Sequence, residues 1–309
     1  ERDGDAKAGE QALRDAVARM QTLAPSSVEI AEARRQLGTV LTNAGKSEEA
    51  LALFDRSVSI LRTLPPGMPL ARALNDKAVL LGSTGHADQA LPLHQESLSV
   101  AERVTGADSP FVDDVRSGLA GALGFVGKIK ESLAVFRQIS DRRVRILGEK
   151  HQDTLWSRTA VAGALNDLNR FDEALPIAQQ AADILTATAG PSHQVTLFAR
   201  VNLGRAQCGS GRFAAGIASL REVTARRVAL YGAEHWLVAN SRVVLARCMI
   251  RAQQLDAAEA ILLPAIARLE ATQGASFLRT QEAYADAQAL YEQRGDARRA
   301  ATWQAKRIP

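Results

Sequence analysis

Aromatic residues make up only 5% of the 309-residue sequence, and there are just two cysteines. With alanine abundant and strand-forming runs few, the scarcity of aromatics argues against a sheet and for helices packed closely on small side chains. Two cysteines cannot frame a disulfide-stapled fold. No apolar stretch reaches about 18 residues, so no transmembrane helix is expected in the chain. No run of five or more like charges occurs, and the net charge is +4, so the pI near 9.3 reflects scattered arginines and not a basic block. Nucleic acid binding by phosphate neutralisation would need a denser patch and is not expected. A secretory leader is missing too, and the first residue is Glu1 instead of Met. The expectation is therefore an excised piece or a processed product.

What the sequence does have is a period. Gly106, Gly148, Gly190, Gly232 and Gly274 recur at a constant 42-residue interval. A second series, Gly45, Gly85, Gly127, Asn169, Gly211, Gln253 and Gly295, is spaced by 40 and then by 42. Fixed self-similarity at this length is the mark of stacked repeats, which grow by adding units and need no central core. Glycine and asparagine tolerate the left-handed backbone that ends a helix, so each unit reads as two antiparallel helices joined by a short turn. Gln253 departs from that chemistry and is expected to sit in a strained or wider turn. A small residue recurs where the two helices cross, at Gly38, Ala78, Ala120, Ala162, Gly204 and Ala246, since larger side chains would push the axes apart. The predicted fold class is all-α, a right-handed superhelical solenoid of antiparallel helix pairs. Residues 1–26 form an N-terminal capping helix, and residues 27–309 form seven helix pairs in one continuous solenoid.

Several constellations suggest chemistry and fail on spacing. His151, His193 and His235 recur at the same interval as the glycines, each just before a helix. Successive repeats set them roughly 10 Å or more apart at ordinary helix spacing, whereas ligands sit about 2 Å from a shared metal. A helix-start or packing role is expected instead, with no metal and no cofactor. Gly118, Gly121, Gly124 and Gly127 precede Lys128, but Ala122 and Ile129 stand where a phosphate loop requires glycine and Ser or Thr. They read as a glycine stripe along one helix, marking a flexible point or a close contact. No grouping of nucleophile, base and orienting residue is legible, so the chain is expected to be non-catalytic. Cys208 and Cys248 lie in equivalent helices of adjacent repeats at different heights. The favoured reading is two small buried thiols. A bridge would require close α-carbon approach and an oxidising compartment.

The order of small residue, leucine, turn glycine and alanine, together with RFDEAL at residues 170–175, resembles the tetratricopeptide repeat. The 42-residue period, with loops such as LGEKHQDTL and LYGAEHWLV, resembles the long-repeat subclass of kinesin light chains. The resemblance covers about residues 27–309. The last units, EHWLVANSRVVLARCMIRAQQLDAAEAILLPAIARLE and LYEQRGDARRAATWQAKR, also resemble the C-terminal repeat regions of bacterial transmembrane serine/threonine kinases. The kinase domain itself is absent here, with no glycine-rich loop, catalytic loop or metal-binding triplet. By that resemblance the chain is expected to be the periplasmic sensor part of an inner-membrane protein. The alternative is a cytoplasmic scaffold or adaptor for complex assembly.

In this family certain positions of every first helix face the concave side. The repeat of this sequence maps them to Arg35, Arg72, Asn75, Trp156, Asn166, Phe198, Asn202, Arg205, Asn240, Arg247 and Arg251, with Asp76, Asp114 and Phe125 among them. Asparagine can both donate to and accept from a peptide backbone, and arginine can grip a carboxylate in two bonds. Trp156 and Phe198, one full period apart, are expected to be aromatic anchors. The implied partner is a protein or peptide in the groove. Direct membrane insertion is not expected, and a homodimer is compatible with the sensor reading.

Overall fold

The computed structural model describes residues 2–307, with side chains from Ala8 onward. Glu1, Ile308 and Pro309, which the two expected segments include at their outer ends, lie outside the described residues. The chain divides into two compact units, Glu1–Lys128 and Ile129–Pro309. The first holds α1 (Arg2–Leu23), α2 (Val28–Asn43), α3 (Ser47–Arg62), α4 (Met68–Ser83), α5 (Ala87–Thr105) and α6 (Pro110–Phe125). The second holds α7 (Ile129–Leu147), α8 (Gln152–Asp167), α9 (Phe171–Thr188), α10 (Gln194–Gly209) and α11 (Phe213–Tyr231). It continues through α12 (Trp236–Arg251), α13 (Leu255–Gln273), α14 (Leu278–Gln293) and α15 (Ala297–Ala305). Among the described residues there is no strand, and the protein is all-α.

The turns form for the reason the spacing implies. Each residue of the second series has positive φ, including Asn169 at 57° and Gln253 at 59°. The next N–H then reaches back five residues, as in Arg170 to the Leu165 carbonyl (2.9 Å) and Gln254 to that of Met249 (2.9 Å). This six-to-one bond closes the helix end. At the helix starts, Nδ1 of His151, His193 and His235 accepts from the backbone N–H two residues on, at 3.2, 3.4 and 3.2 Å. The histidine series thus fills the N-cap role usual for Ser or Asp, and no cluster of metal-ligating side chains exists among the described residues.

Packing follows the small residues. A Cβ on Gly38 would stand 2.8 Å from Phe54 Cε1, and one on Gly204 2.7 Å from Leu220 Cγ, so α2 meets α3 and α10 meets α11 at glycine. In the second unit Leu197, Leu220, Leu245, Leu262, Leu269 and Tyr284 share one continuous core. The glycine stripe also finds its reason at Gly118. Its missing Cβ leaves room for the ring of His94 on α5, whose Cε1 would otherwise be 2.4 Å away. It is a close contact, and His94 is buried to 2% exposure.

The cysteines correct the sequence reading. Cys208 and Cys248 are joined in a disulfide between α10 and α12, with α-carbons 5.5 Å apart. Adjacent first helices face one another at offset positions, so the small departure of this pair from the repeat register brings the sulfurs together. Gly216 on α11 helps, because a Cβ there would lie 2.3 Å from Cys208 Sγ. Both cysteines are buried.

Candidate functional site

In the second unit α8, α10, α12 and α14 pack successively side by side, and in the first unit α2, α4 and α6 do the same. Each row presents a face built from the same helical positions. On the first unit's face, Arg35 on α2 donates to Asp76 on α4 (2.7 Å) and pairs with Glu32 (3.1 Å). Arg72 is exposed and Asn75 half-buried, with the Asn75 Oδ1 buried and unpartnered. On α6, Asp114 is exposed and Phe125 half-buried.

On the second unit's face the predicted residues separate into four groups. Asn166 and Asn202 are not on the surface at all, at 3% and 1% exposure. Asn166 Nδ2 donates to the Asn202 carbonyl on α10 (2.9 Å), and Asn202 Nδ2 donates to the Phe198 carbonyl (3.2 Å). The Asn166 amide thus ties α8 to α10, while that of Asn202 bonds within α10. Trp156 meets Phe136 on α7 edge-on at 6.0 Å and has the Arg143 guanidinium 5.9 Å from its ring centre. It fills the gap between neighbouring helices and is only partly open. Phe198 and Asn240 are half-buried, and Arg251 is exposed.

The remaining two, Arg205 and Arg247, are ion-paired between helices. Arg205 reaches Asp167 at the end of α8 and donates to Asn202 Oδ1 (3.3 Å). Arg247 donates from Nε to both oxygens of Asp286 (2.8 and 3.0 Å) and from Nη2 to Glu282 (3.2 Å) on α14. Burial alone would lower the Arg247 pKa, but the charges of Asp286 and Glu282 raise it above the ordinary arginine value. Burial likewise favours the neutral form of Glu282, yet Arg279, Arg247 and Arg205 hold it down at about 2. The sequence reading missed Asp167, Glu282 and Asp286. Glu282 continues the series Trp156, Phe198, Asn240, and Asp286 stands two periods after Asn202, so extending the same register by one unit exposes both.

Family comparison supports the geometry. Two models described as tetratricopeptide repeat match residues 30–64 and 70–111, and residues 113–187 and 153–227, together more than half of the chain. The chain belongs to the tetratricopeptide repeat family. A search of the curated proteins finds no match. Among solved structures, the apo form of RapI is similar with a TM-score of 0.69 at 10% identity, over 89% of this chain and 95% of that one. A Rap protein complexed with competence and sporulation factor is similar with a TM-score of 0.68 at 13% identity, over 99% and 85%. The nearly identical repeats of a protein designated a kinesin light chain from Podosopora anserina give 0.53 at 19% identity, over 65% and 96%. These likenesses concern the fold. As a tetratricopeptide repeat domain the chain is a protein-binding scaffold of a generally non-catalytic kind. Among the described residues no helix is long and apolar enough to cross a membrane.

Proposed function

We propose that the chain binds a protein or peptide on the face formed by its first helices, and that it is the periplasmic sensor region of a bacterial transmembrane serine/threonine kinase. The ligand reading is supported by the side chains that remain accessible there. The positions of Arg72, Phe198, Asn240 and Arg251 change chemistry from repeat to repeat, while the crossing positions stay Gly or Ala and the turn positions are glycine except at Asn169 and Gln253. The regular positions build the scaffold, and the variable ones are where a partner is chosen. The structure of a Rap protein with competence and sporulation factor is a precedent for ligand binding by this fold.

The observation that carries the location is the buried bridge between Cys208 and Cys248. Structural disulfides form and persist in oxidising compartments and are rare where thiols are kept reduced. The competing reading is a cytoplasmic scaffold, and the two differ in thiol content. Protein trapped with an alkylating reagent in its native host and then denatured is expected to contain no free thiol. Two alkylated cysteines would remove the periplasmic assignment. For the ligand, capture of partners by the wild-type chain and by a Phe198→Ser, Asn240→Ala double variant is compared. Loss of the captured partner by the folded variant is expected, and unchanged capture would refute the face assigned.

A further inference from the structure

One residue of a repeat's first helix meets the residue 22 positions later on its second helix. In the fourth repeat Arg158 donates to Gln180 (3.2 Å), and in the fifth Arg200 pairs with Glu222 (2.5 Å). In the last repeat Lys306 lies 5.4 Å from the centre of the Tyr284 ring. In these three the cation meets an acceptor or an aromatic face. The second, third and sixth repeats place Leu74 with Glu96, Arg116 with Gln138 and Arg242 with Pro264. The first repeat alone sets two cations at these positions, Arg34 on α2 and Arg56 on α3.

The Arg34 guanidinium is sunk between helices. The residue is 5% exposed, its Nη2 donates to Gln21 Oε1 near the end of α1, and its Nε is buried without a partner. Arg56 is exposed and makes neither a hydrogen bond nor an ion pair among the described residues. Nearby carboxylates are engaged elsewhere, Glu32 by Arg35 (3.1 Å) and Asp55 by Lys77 (2.6 Å). Burial first, and then the charge of Arg56, disfavour the Arg34 cation. A buried charge is costly without a counter-charge and filled hydrogen bonds. Here a neutral amide and a second cation stand where Arg200 has Glu222. The next residue, Arg35, turns to Asp76 on α4, so the Arg34–Arg56 pair lies off the first-helix face.

We propose that Arg34 and Arg56 bind a terminal phosphate group between α1, α2 and α3, with one phosphate oxygen replacing the Gln21 amide oxygen. Gln21 is exposed and is the side chain bonded to the guanidinium, so rotation of its amide opens the fork to solution. Two guanidiniums carry two positive charges. A phosphate near its dianionic form balances both and offers three acceptor oxygens, whereas a carboxylate balances one. The site is separate from the face assigned to the protein or peptide partner.

The test uses the full chain as wild type, Arg56→Gln and Arg56→Glu. The probes are inorganic phosphate, acetate at equal ionic strength, and phosphatidylcholine vesicles with or without phosphatidic acid, all at about pH 7.5, where a phosphate monoester is mostly dianionic. Arginine Nε–H resonances and thermal unfolding follow the soluble anions, and cosedimentation follows the vesicles. Phosphate is expected to shift the Arg34 resonance and to raise the wild-type melting temperature by about 3 °C, with acetate doing neither. Arg56→Gln is expected to weaken phosphate binding about tenfold. Arg56→Glu installs the carboxylate of the fifth repeat. It is expected to melt above wild type in acetate and to lose the response to phosphate. A response to inorganic phosphate assigns a soluble source, and Arg56-dependent cosedimentation confined to phosphatidic acid vesicles assigns a lipid headgroup. An acetate response equal to that of phosphate, or no Arg56-dependent response to either phosphate source, would overturn the site. So would full phosphate binding by Arg56→Glu.

Discussion

The buried His94 ties the stability of the first unit to pH. Its ring lies on Gly118, is 2% exposed, and has a buried Nδ1 without a partner. Burial disfavours the imidazolium and lowers the pKa from 6.5 to about 4. The unfolded chain therefore binds the proton first as pH falls, and stability is lost from about pH 6.5 downward until both states are protonated below pH 4. Each pKa unit corresponds to about 1.4 kcal/mol, so the whole span is about 3 kcal/mol, of which about 1.8 kcal/mol is lost between pH 7 and pH 5. The perturbation is His94→Leu, which keeps the volume and removes the titration. Urea unfolding of wild type and variant at pH 7, 6 and 5 is the assay, with the imidazole Cε1–H signal titrated in parallel. The variant is expected to lack that portion of the wild type's acid sensitivity, and the wild-type signal is expected to titrate near pH 4. An imidazole midpoint near 6.5, or parallel pH dependence of the two proteins, would refute the reasoning.

Reduction of the Cys208–Cys248 bridge, which closes a 40-residue separation, is expected to destabilise the second unit by about 2–4 kcal/mol. Denaturation with and without reductant measures it, and coincident curves would count against a bridge in solution. Asn166→Ala removes the amide that donates to the Asn202 carbonyl and is expected to cost about 1–3 kcal/mol of stability. Affinity for a captured partner should change little, whereas a folded, equally stable variant with lost binding would reverse the assignment. Gln253 holds φ at 59°, so Gln253→Gly is expected to raise stability by about 1 kcal/mol. A drop on thermal unfolding would show that its side-chain bond to Gln293 (3.0 Å) outweighs the strain.

Much of the scaffold is legible from local chemistry. The left-handed turns at Gly45 through Gly295, the histidine helix starts and the small crossing residues each depend on a few neighbouring atoms, so period and residue type are enough to find them. The candidate site is legible only as a set of positions. Repeat register placed Phe198, Asn240 and Arg251 on the first-helix face, but it also placed Asn166 and Asn202 there, which the structure buries between α8 and α10. Trp156 shares its register with Phe198 and yet is taken up by Phe136 and Arg143 of α7.

By itself, then, the sequence determined the all-helical class, the two-helix unit and the place of every turn, because these follow from backbone preference and spacing. Tertiary structure alone decided which face residues are accessible, which arginines are already paired, and that the cysteines of two neighbouring first helices are bonded. Those outcomes depend on how far adjacent first helices are offset along their axes. That offset is set by side-chain packing, and a slip of less than one helical turn exchanges a buried contact for an open one.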